Sequence, residues 1–205
     1  MKLAAVTNGL QTIEEMASSI MEIEAFVDYI HIREKQKSAG ELFCLLELLT
    51  KKKVEREKLV IHDRLDLALL CEHTNVHLPG SGLPTCHVKD KYPFLRVGRS
   101  VHSLEEALRE EEEGADYLFY GHIFDTPSKE GLPPQGIHPL KELKRNIKIP
   151  IYAIGGIKLN DVSRIASIGV EGVAVMSGIF SDVDAADAAA KYYMKAKEAD
   201  DGEIV

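Results

Sequence analysis

The chain has 205 residues, of which 45% are hydrophobic and 28% are charged, and its formal net charge is −8. These values are typical of one globular domain with a sizeable core, and the negative charge argues against nucleic acid or an anionic membrane as a partner. The three cysteines lack CxxC spacing, and the first residues are too polar for a signal peptide. No apolar run approaches the roughly 20 residues that span a bilayer, so we expect a cytoplasmic protein with reduced thiols.

Short apolar runs alternate with segments of helical spacing along the whole chain. The predicted strands lie at 2–7, 25–32, 58–61, 75–78, 94–98 and 115–121, and within 150–157 and 169–180. The predicted helices lie at 11–23, 38–52, 64–71, from about 84, and at 103–114, 138–146, 160–168 and 182–199. We expect residues 200–205 to form a frayed tail.

Helix ends are marked by local sequence signals. Ser38 and Asn160 are candidate N-caps, and Ser103 with Glu106 has the spacing of a capping box. Gly114 and Gly169 follow helical segments, where glycine commonly ends a helix.

The alternation of strands and helices predicts a parallel sheet. Eight such units in a chain of this length favour a single-domain (β/α)8 TIM barrel over residues 1–205. An open doubly wound sheet remains an alternative, because periodicity does not reveal whether a sheet closes. The Gly- and Pro-rich loop 122–136 is longer than most connections and is a candidate active-site lid.

In such a barrel, catalytic groups collect at the carboxyl ends of the strands. The polar residues found there are His31, Arg33, Lys35, His62, Asp63, Ser100, His102, His122, Thr126, Ser128 and Lys129. Arg33, Lys35 and Lys129 suit a phosphate or a carboxylate. For Arg33 and Lys35 the alternative is a solvated loop with ion pairs to Glu34 or Glu41.

Glycine and serine close the last two predicted strands, as Gly155-Gly156 and Ser177-Gly178. Bare backbone N–H groups at this position form an anion-binding cup, and the loops after strands 7 and 8 are the usual phosphate site of a TIM barrel. The alternative is that these glycines only turn the chain.

His122 follows a predicted strand directly and opens the long loop. Histidine titrates near neutral pH and can move a proton in either direction, although His122 could also simply bond to backbone at the loop entry. Asp63 could bind Mg²⁺, but a helix cap is the expected role, because one carboxylate is a poor metal site. We expect the remaining strand and helix histidines, His73, His77 and His87, to be structural.

Several segments together resemble the thiamin phosphate synthase family over nearly the whole chain. They include His31-Ile-Arg-Glu-Lys35, His62-Asp-Arg-Leu-Asp66, Gly98-Arg-Ser-Val-His102 and Gly121-His-Ile-Phe-Asp-Thr-Pro-Ser-Lys129, with Val76-His-Leu78, Ala153-Ile-Gly-Gly156 and Gly172-Val-Ala-Val-Met-Ser177. The resemblance is greatest to the TenI branch of thiazole tautomerases. It implies a (β/α)8 barrel in which Gly156, Ser177 and Gly178 hold the phosphate of a thiazole phosphate. It also implies that Arg33, Lys35 and Lys129 lie where the synthase grips a pyrimidine pyrophosphate.

Four departures from the synthase pattern separate the branches. His31 replaces a glutamine, His62 replaces an asparagine, and His122 replaces a proline after Gly121. The fourth is the loss of a Mg²⁺-binding aspartate, because residues 79–82 read Pro-Gly-Ser-Gly where the synthase has Gly-Gln-x-Asp.

The resemblance therefore implies a thiazole tautomerase of thiamin biosynthesis, which aromatises a carboxy-thiazole phosphate by an acid/base proton shift through His122. The implied substrate-binding residues are Arg33, Lys35, His62, Ser100, His102, Thr126, Lys129, Gly155, Gly156, Ser177 and Gly178. No metal or other cofactor is expected for a net proton shift, and a homodimer is left open. The alternatives are a thiamin phosphate synthase, and a non-catalytic regulator that binds thiazole phosphate.

Overall fold

The computed structural model describes residues 1–201 and forms a closed barrel of eight parallel strands. The strands are β1 Lys2–Val6, β2 Tyr29–Ile32, β3 Leu59–His62, β4 Asn75–Leu78, β5 Arg96–Val101, β6 Tyr117–Gly121, β7 Ile151–Ile154 and β8 Gly172–Val175. Neighbours in sequence are neighbours in the sheet, and β8 pairs with β1 from Lys2↔Gly172 to Ala5↔Val175. The predicted TIM barrel is confirmed, and the open sheet is excluded.

Helices follow each strand and cover the outside of the barrel. They are α1 Ile13–Ile23, α2 Ala39–Lys51, α3 Leu65–Leu70, α4 Thr85–Lys91, α5 Leu104–Glu112, α6 Ile137–Asn146, α7 Val162–Ala166, α8 Ser177–Phe180 and α9 Ala185–Asp201. Short 3-10 turns lie at Glu24–Phe26, Arg56–Lys58, Pro127–Lys129 and Leu159–Asp161.

Most of the predicted helix ends are confirmed. Ser38 caps α2 in a full capping box with Glu41. Ser103 Oγ accepts the N–H of Glu106, but the Glu106 carboxylate takes the N–H of His102, so the reciprocal bond of the predicted box is shifted by one residue. Gly114 (φ +90°) and Gly169 (φ +79°) end their helices in the left-handed region, where glycine has no steric penalty.

Some predicted strand boundaries are wrong, and a specific contact explains each difference. The strand predicted at 25–32 begins only at Tyr29, because Glu24–Phe26 form a 3-10 turn whose Glu24 carbonyl accepts a bond from Lys58 Nζ at 2.9 Å. The strand predicted at 94–98 runs instead from Arg96 to Val101, since Ser100 and Val101 continue the pairing with β6.

The helices predicted at 160–168 and 182–199 also begin later than predicted. Asn160 is not an N-cap, because it lies inside a 3-10 turn that Asp161 closes by accepting the N–H of Lys158 at 2.9 Å. The helix predicted from 182 begins at Ala185, after Asp184, whose carboxylate accepts the N–H of Asp187 at 2.9 Å. The tail predicted at 200–205 is still helical at 200–201, and residues 202–205 lie outside the described residues.

The alternation of the strands divides the core into two layers. One layer lies between the strands and the helices, and the other fills the barrel with the buried residues Ala4, Val6, Tyr117, Phe119, Tyr152 and Ala174. At the amino-terminal end of the barrel, the Arg96 guanidinium lies over the rings of Tyr29 and Tyr117, at 4.7 and 4.2 Å from their centroids. The barrel is therefore packed at one end, which leaves the other end to hold a ligand.

Across residues 1–201, every helix is too short or too polar to cross a membrane. The three cysteines, Cys44, Cys71 and Cys86, are free thiols.

Candidate active site at the carboxyl end of the barrel

Three histidines from consecutive strands lie side by side inside the barrel. The Nδ1 atom of His31 lies 2.8 Å from Nε2 of His62. The rings of His62 and His77 are stacked, with centroids 4.5 Å apart and planes at 21°. Phe119 lies beneath the group, with its centroid 4.5 Å from those of both His31 and His77. We call His31, His62 and His77 the histidine cluster.

Hydroxyl groups hold His77 from both sides. Its Nε2 lies 2.8 Å from Ser100 Oγ, and its Nδ1 lies 3.2 Å from the hydroxyl of Tyr117. His77 was expected to be structural, and it is fully buried, but its neighbours place it in the same group as two predicted site residues. Sequence reasoning missed this, although the strand alternation offered a signal: His31, His62 and His77 each occupy an inward position of the barrel.

The cluster is electrically neutral at ordinary pH. Burial lowers the pKa of His62 to about 3, and the nearby positive charge of Arg33 adds to this effect. Burial likewise holds the pKa values of His31 and His77 well below the usual value for histidine. Because a bond between two ring nitrogens needs one donor and one acceptor, the short His31–His62 contact also requires that the pair not be doubly protonated.

His122 lies at the end of β6, buried, and directs a ring nitrogen at its own loop. Its Nε2 is 3.2 Å from the carbonyl oxygen of Leu132. A carbonyl only accepts, so Nε2 carries the hydrogen, and in the neutral ring Nδ1 carries the lone pair. The backbone bond that the sequence offered as an alternative is therefore present, and it determines which nitrogen of the neutral His122 ring carries the lone pair.

The loop 122–136 is folded back against its own start. The N–H groups of Gln135 and Gly136 donate to the carbonyls of His122 and Ile123 at 2.8 and 3.0 Å. The N–H groups of Ile123 and Phe124 donate to the carbonyls at the end of β7, also at 3.0 Å. Both ends of the loop are therefore anchored, and any lid movement is confined to residues between them.

His102 supports the same corner of the barrel and does not join the cluster. It is exposed, and its Nδ1 donates to the carbonyl of Gly121 at 2.5 Å. The peptide bond that follows, between Gly121 and His122, is cis. The structure thus gives His102 a backbone contact, and its predicted role in substrate binding stays a prediction.

Gly155 and Gly156 turn the chain and also leave room for a neighbouring segment to approach closely. Both have left-handed φ, +98° and +68°. A Cβ on Gly155 would lie 2.3 Å from the Cβ of His122, and one on Gly156 would lie 2.5 Å from the carbonyl oxygen of Asp125. The two glycines therefore let the chain at 122–125 pass directly over the end of β7.

Ser177 and Gly178 lie on the neighbouring strand end, at the start of α8. Ser177 is exposed, and a Cβ on Gly178 would meet the Tyr192 hydroxyl at 2.6 Å. Since Ile154 pairs with Ala174, the two glycine-containing turns close adjacent strands. The structure brings together the four residues predicted to form the anion cup, and their binding of phosphate stays a prediction.

The predicted cations are positioned around the same rim. Arg33 is half-buried, while Lys35 and Lys129 are exposed and Thr126 directly precedes the 3-10 turn that carries Lys129. The alternative offered for Arg33 and Lys35 was ion pairs to Glu34 or Glu41, but these two glutamates make other contacts. Buried Glu34 accepts the N–H of Gly9 at 3.2 Å, with Lys37 at 4.0 Å, and Glu41 belongs to the α2 cap.

Asp63 does not cap a helix, which corrects the sequence prediction. It has φ +53°, and the N-cap residue of α3 is Arg64, whose guanidinium only donates and therefore cannot cap a helix start. The Arg64 guanidinium bonds to Asp66 at 2.7 and 2.9 Å. The Asp63 carboxylate is exposed and faces the turn 79–82 instead. A Cβ placed on Gly82 would lie 3.2 Å from Asp63 Oδ1. Residue 82 is thus positioned to share a ligand with Asp63, and it has no side chain.

Comparisons with known proteins agree with this fold. The family model described as thiamine monophosphate synthase matches residues 3–179. The thiamine-phosphate synthase of Pyrococcus horikoshii is 36% identical over 171 residues, 83% of this chain and 83% of that protein. That of Clostridium acetobutylicum is also 36% identical over 171 residues, 82% of this chain and 81% of that protein.

A solved structure extends the match to almost the full length. Thiamine phosphate pyrophosphorylase from Pyrococcus furiosus has a TM-score of 0.84 and 30% identity, covering 97% of this chain and 96% of that one. A structure of 3-hexulose-6-phosphate synthase, with a TM-score of 0.76 and 17% identity, shares the fold. The length of the family match and the identity to its curated members lead to one conclusion: this chain belongs to the thiamine monophosphate synthase family.

Proposed function

We propose that this family member is a thiazole tautomerase, an isomerase of the TenI branch. Its substrate would be a non-aromatic carboxy-thiazole phosphate, and its product the aromatic ring. The observation that carries the proposal is a combination of two differences from the synthase pattern: one of the two Mg²⁺-binding carboxylates is missing, and a histidine replaces a proline. Asp63 faces a glycine at position 82, and a histidine with a defined basic nitrogen stands at position 122.

The second candidate function is thiamine phosphate synthesis from thiazole phosphate and a pyrimidine pyrophosphate. The relatives favour it, because the curated proteins named above are synthases. The residues at the rim disfavour it, because one carboxylate holds Mg²⁺ weakly against a pyrophosphate. Both candidates bind a thiazole phosphate and differ in what reacts with the ring.

The phosphate end of the substrate would bind at the glycine turns after β7 and β8. Gly155, Gly156 and Gly178 present backbone without side chains, and exposed Ser177 adds a hydroxyl. Lys129, within the loop 122–136, forms no ion pair with any residue of 1–201 and would add positive charge to this end of the site. Anchoring this remote group orients the ring for the chemistry.

The proton shift would use both nitrogens of His122 in different roles. Nδ1 removes the proton from the ring carbon that carries the carboxylate, and the same proton is then returned to the exocyclic carbon. The double bonds move into the ring, so atoms and charge balance without an oxidant. The Leu132 carbonyl at 3.2 Å from Nε2 orients the ring and stabilises its protonated form, as an acceptor behind a general base does. Such acid–base help is worth roughly 10²- to 10⁴-fold in rate.

Arg33 would face the substrate carboxylate. Its backbone N–H is fixed by Thr7 Oγ1 at 2.9 Å, at the end of β2 above the histidine cluster. A guanidinium in this position would stabilise the negative charge that spreads from the ring into the carboxylate as the proton leaves.

One pair of assays tests the proposal against its competitor. Ring aromatisation is followed by ultraviolet absorbance with the tautomer as substrate, and thiamin phosphate formation is measured with Mg²⁺ and both synthase substrates. We expect turnover in the first assay and none in the second. Synthase turnover without aromatisation would establish the second candidate, and phosphate-ligand binding without either reaction would identify a regulator.

A further inference from the structure

Neither candidate reaction assigns a role to His31 or His77 of the histidine cluster, and the resemblance implies only substrate binding for His62. His31, His62 and His77 each offer one ring nitrogen, and these atoms all lie within 4.8 Å of one another. We propose that the histidine cluster binds one first-row transition-metal dication, of which Zn²⁺ is the reference case. The inference does not depend on the isomerase activity, and it differs from the expectation of no metal that the sequence alone supports.

One distance in the histidine cluster is close to that of a three-histidine site. Zinc bonds imidazole nitrogen at about 2.0 to 2.1 Å in tetrahedral geometry, which places the nitrogens about 3.3 Å apart. The His31–His62 nitrogens, now 2.8 Å apart, would therefore separate by about half an ångström when the metal replaces the hydrogen between them. The ligating nitrogen of His77 lies within 4.8 Å of the other two, so the His77 ring would have to turn toward them to complete the site.

The support around the cluster is that of a built site. The three residues stand on adjacent paired strands, β2, β3 and β4, so their spacing is fixed by the barrel. Ser100 and Tyr117 contact the two ring nitrogens of His77, so one nitrogen can ligate while the other keeps a hydroxyl partner. Metal-bound histidines characteristically have such a second partner, which orients the ring.

The chemistry of the ligands selects the ion. Imidazole nitrogen suits Zn²⁺, Co²⁺, Ni²⁺ and Cu²⁺, whereas Mg²⁺ takes oxygen. Imidazole ligates through an unprotonated nitrogen, and the 2.8 Å His31–His62 contact already requires one unprotonated nitrogen in that pair. His62 is half-buried and the other two are buried, so the fourth coordination position lies on the side of His62, toward the mouth of the barrel.

Positive charge nearby sets a limit on affinity. Arg99 is neutralised by Glu110 at 3.1 Å, and Arg96 lies over two tyrosine rings, but Arg33 remains near His62. With three neutral ligands and a neighbouring guanidinium, we expect an anion such as chloride or hydroxide to occupy the fourth position of the bound ion.

The experiment uses full-length, tag-free protein stripped with a chelator. Zn²⁺ is titrated by calorimetry, and Co²⁺ by its visible absorption, which is intense for four-coordinate and weak for six-coordinate ions. We expect one ion per chain and an intense Co²⁺ spectrum. The variants His62→Asn and His77→Gln should each lose more affinity than the roughly 10- to 100-fold that removal of an outer partner costs, and Ser100→Ala should fall within that range.

The control is the double variant His87→Gln with His138→Gln, which removes two exposed histidines, one of them beside Cys86. It should keep the metal affinity within about twofold, which is well below the roughly 10- to 100-fold effect of removing an outer partner. Thermal unfolding of each metal-free variant identifies any that does not fold, and Ser100→Ala keeps all three ligands if a histidine variant fails. No saturable binding, a weak six-coordinate spectrum, or affinity lost in the control but kept in the cluster variants would overturn the proposal.

Discussion

Replacing Gly155 with alanine tests the close approach of His122 to the turn after β7. The new Cβ would lie 2.3 Å from the Cβ of His122, whereas carbon atoms in contact are about 3.5 to 4.0 Å apart, so the chain at 122 must move by more than about 1 Å. The left-handed φ of +98° adds about 1 to 2 kcal/mol for any side chain, and overpacking adds about 1 to 3 kcal/mol. We expect a total loss of about 2 to 5 kcal/mol in the free energy of unfolding.

Gly131→Ala is the matched control for this change. Gly131 lies in the same loop with φ +80°, but a Cβ there has no neighbour within 4 Å, so only the backbone penalty applies. Urea unfolding of both variants isolates the contact with His122, and an aromatisation assay measures its effect on catalysis. A shift of about 1 Å at a catalytic group can cost about 100-fold in rate. Equal unfolding free energies and equal rates for the two variants would refute the reasoning.

Three further predictions follow from other contacts. His122→Ala should lower aromatisation by roughly 10²- to 10⁴-fold while leaving phosphate-ligand binding, measured by calorimetry, nearly unchanged. Gly82→Asp should bring a second carboxylate to Asp63 and create measurable Mg²⁺ binding, which calorimetry detects. Glu110→Gln should leave the Arg99 guanidinium, buried and 3.1 Å from Glu110, without its counter-charge, and lower the free energy of urea unfolding by about 3 to 5 kcal/mol.

Each of these has a control within the chain. For His122 it is His138→Ala, which changes an exposed histidine and should leave the rate alone; an unaltered rate in His122→Ala removes that residue from the mechanism. For Gly82 it is Ser81→Asp, one residue away in the same turn, which should bind Mg²⁺ more weakly. For Glu110 it is Asp66→Asn in the exposed pair with Arg64, worth about 0 to 1 kcal/mol, and an equal loss in both would contradict the burial argument.

The fold was predictable because its signals are local. Strands buried on both faces read as short apolar runs, and residues such as Ser38 and Gly114 mark helix ends through bonds to their immediate neighbours. The signals failed where a distant residue decides the outcome. Residues 25–28 are not part of the second strand as predicted, because a 3-10 turn precedes it, and the carbonyl of Glu24 in that turn accepts a bond from Lys58, 34 positions along the chain.

The sequence predicted where the residues of the candidate site lie better than it predicted which side chains contact one another. The strand-end rule located His122 and the glycine turns, because parallel strands deliver their carboxyl ends to one side. It did not give the bond between His31 and His62, which depends on the register of β2 against β3. Asp63 was expected to cap α3 because it precedes a helix, but its left-handed backbone turns the carboxylate away from the helix start.

The aromatic packing at the lower end of the barrel restricts the route that a ligand could take to the strand ends. Tyr117, Phe119 and Tyr152 are each 1% exposed, so they block approach through the interior from below. A substrate and its product would then reach the strand ends from the same side and exclude each other. We therefore expect product inhibition to be competitive, and a bulky group attached near the strand ends should slow both binding and release.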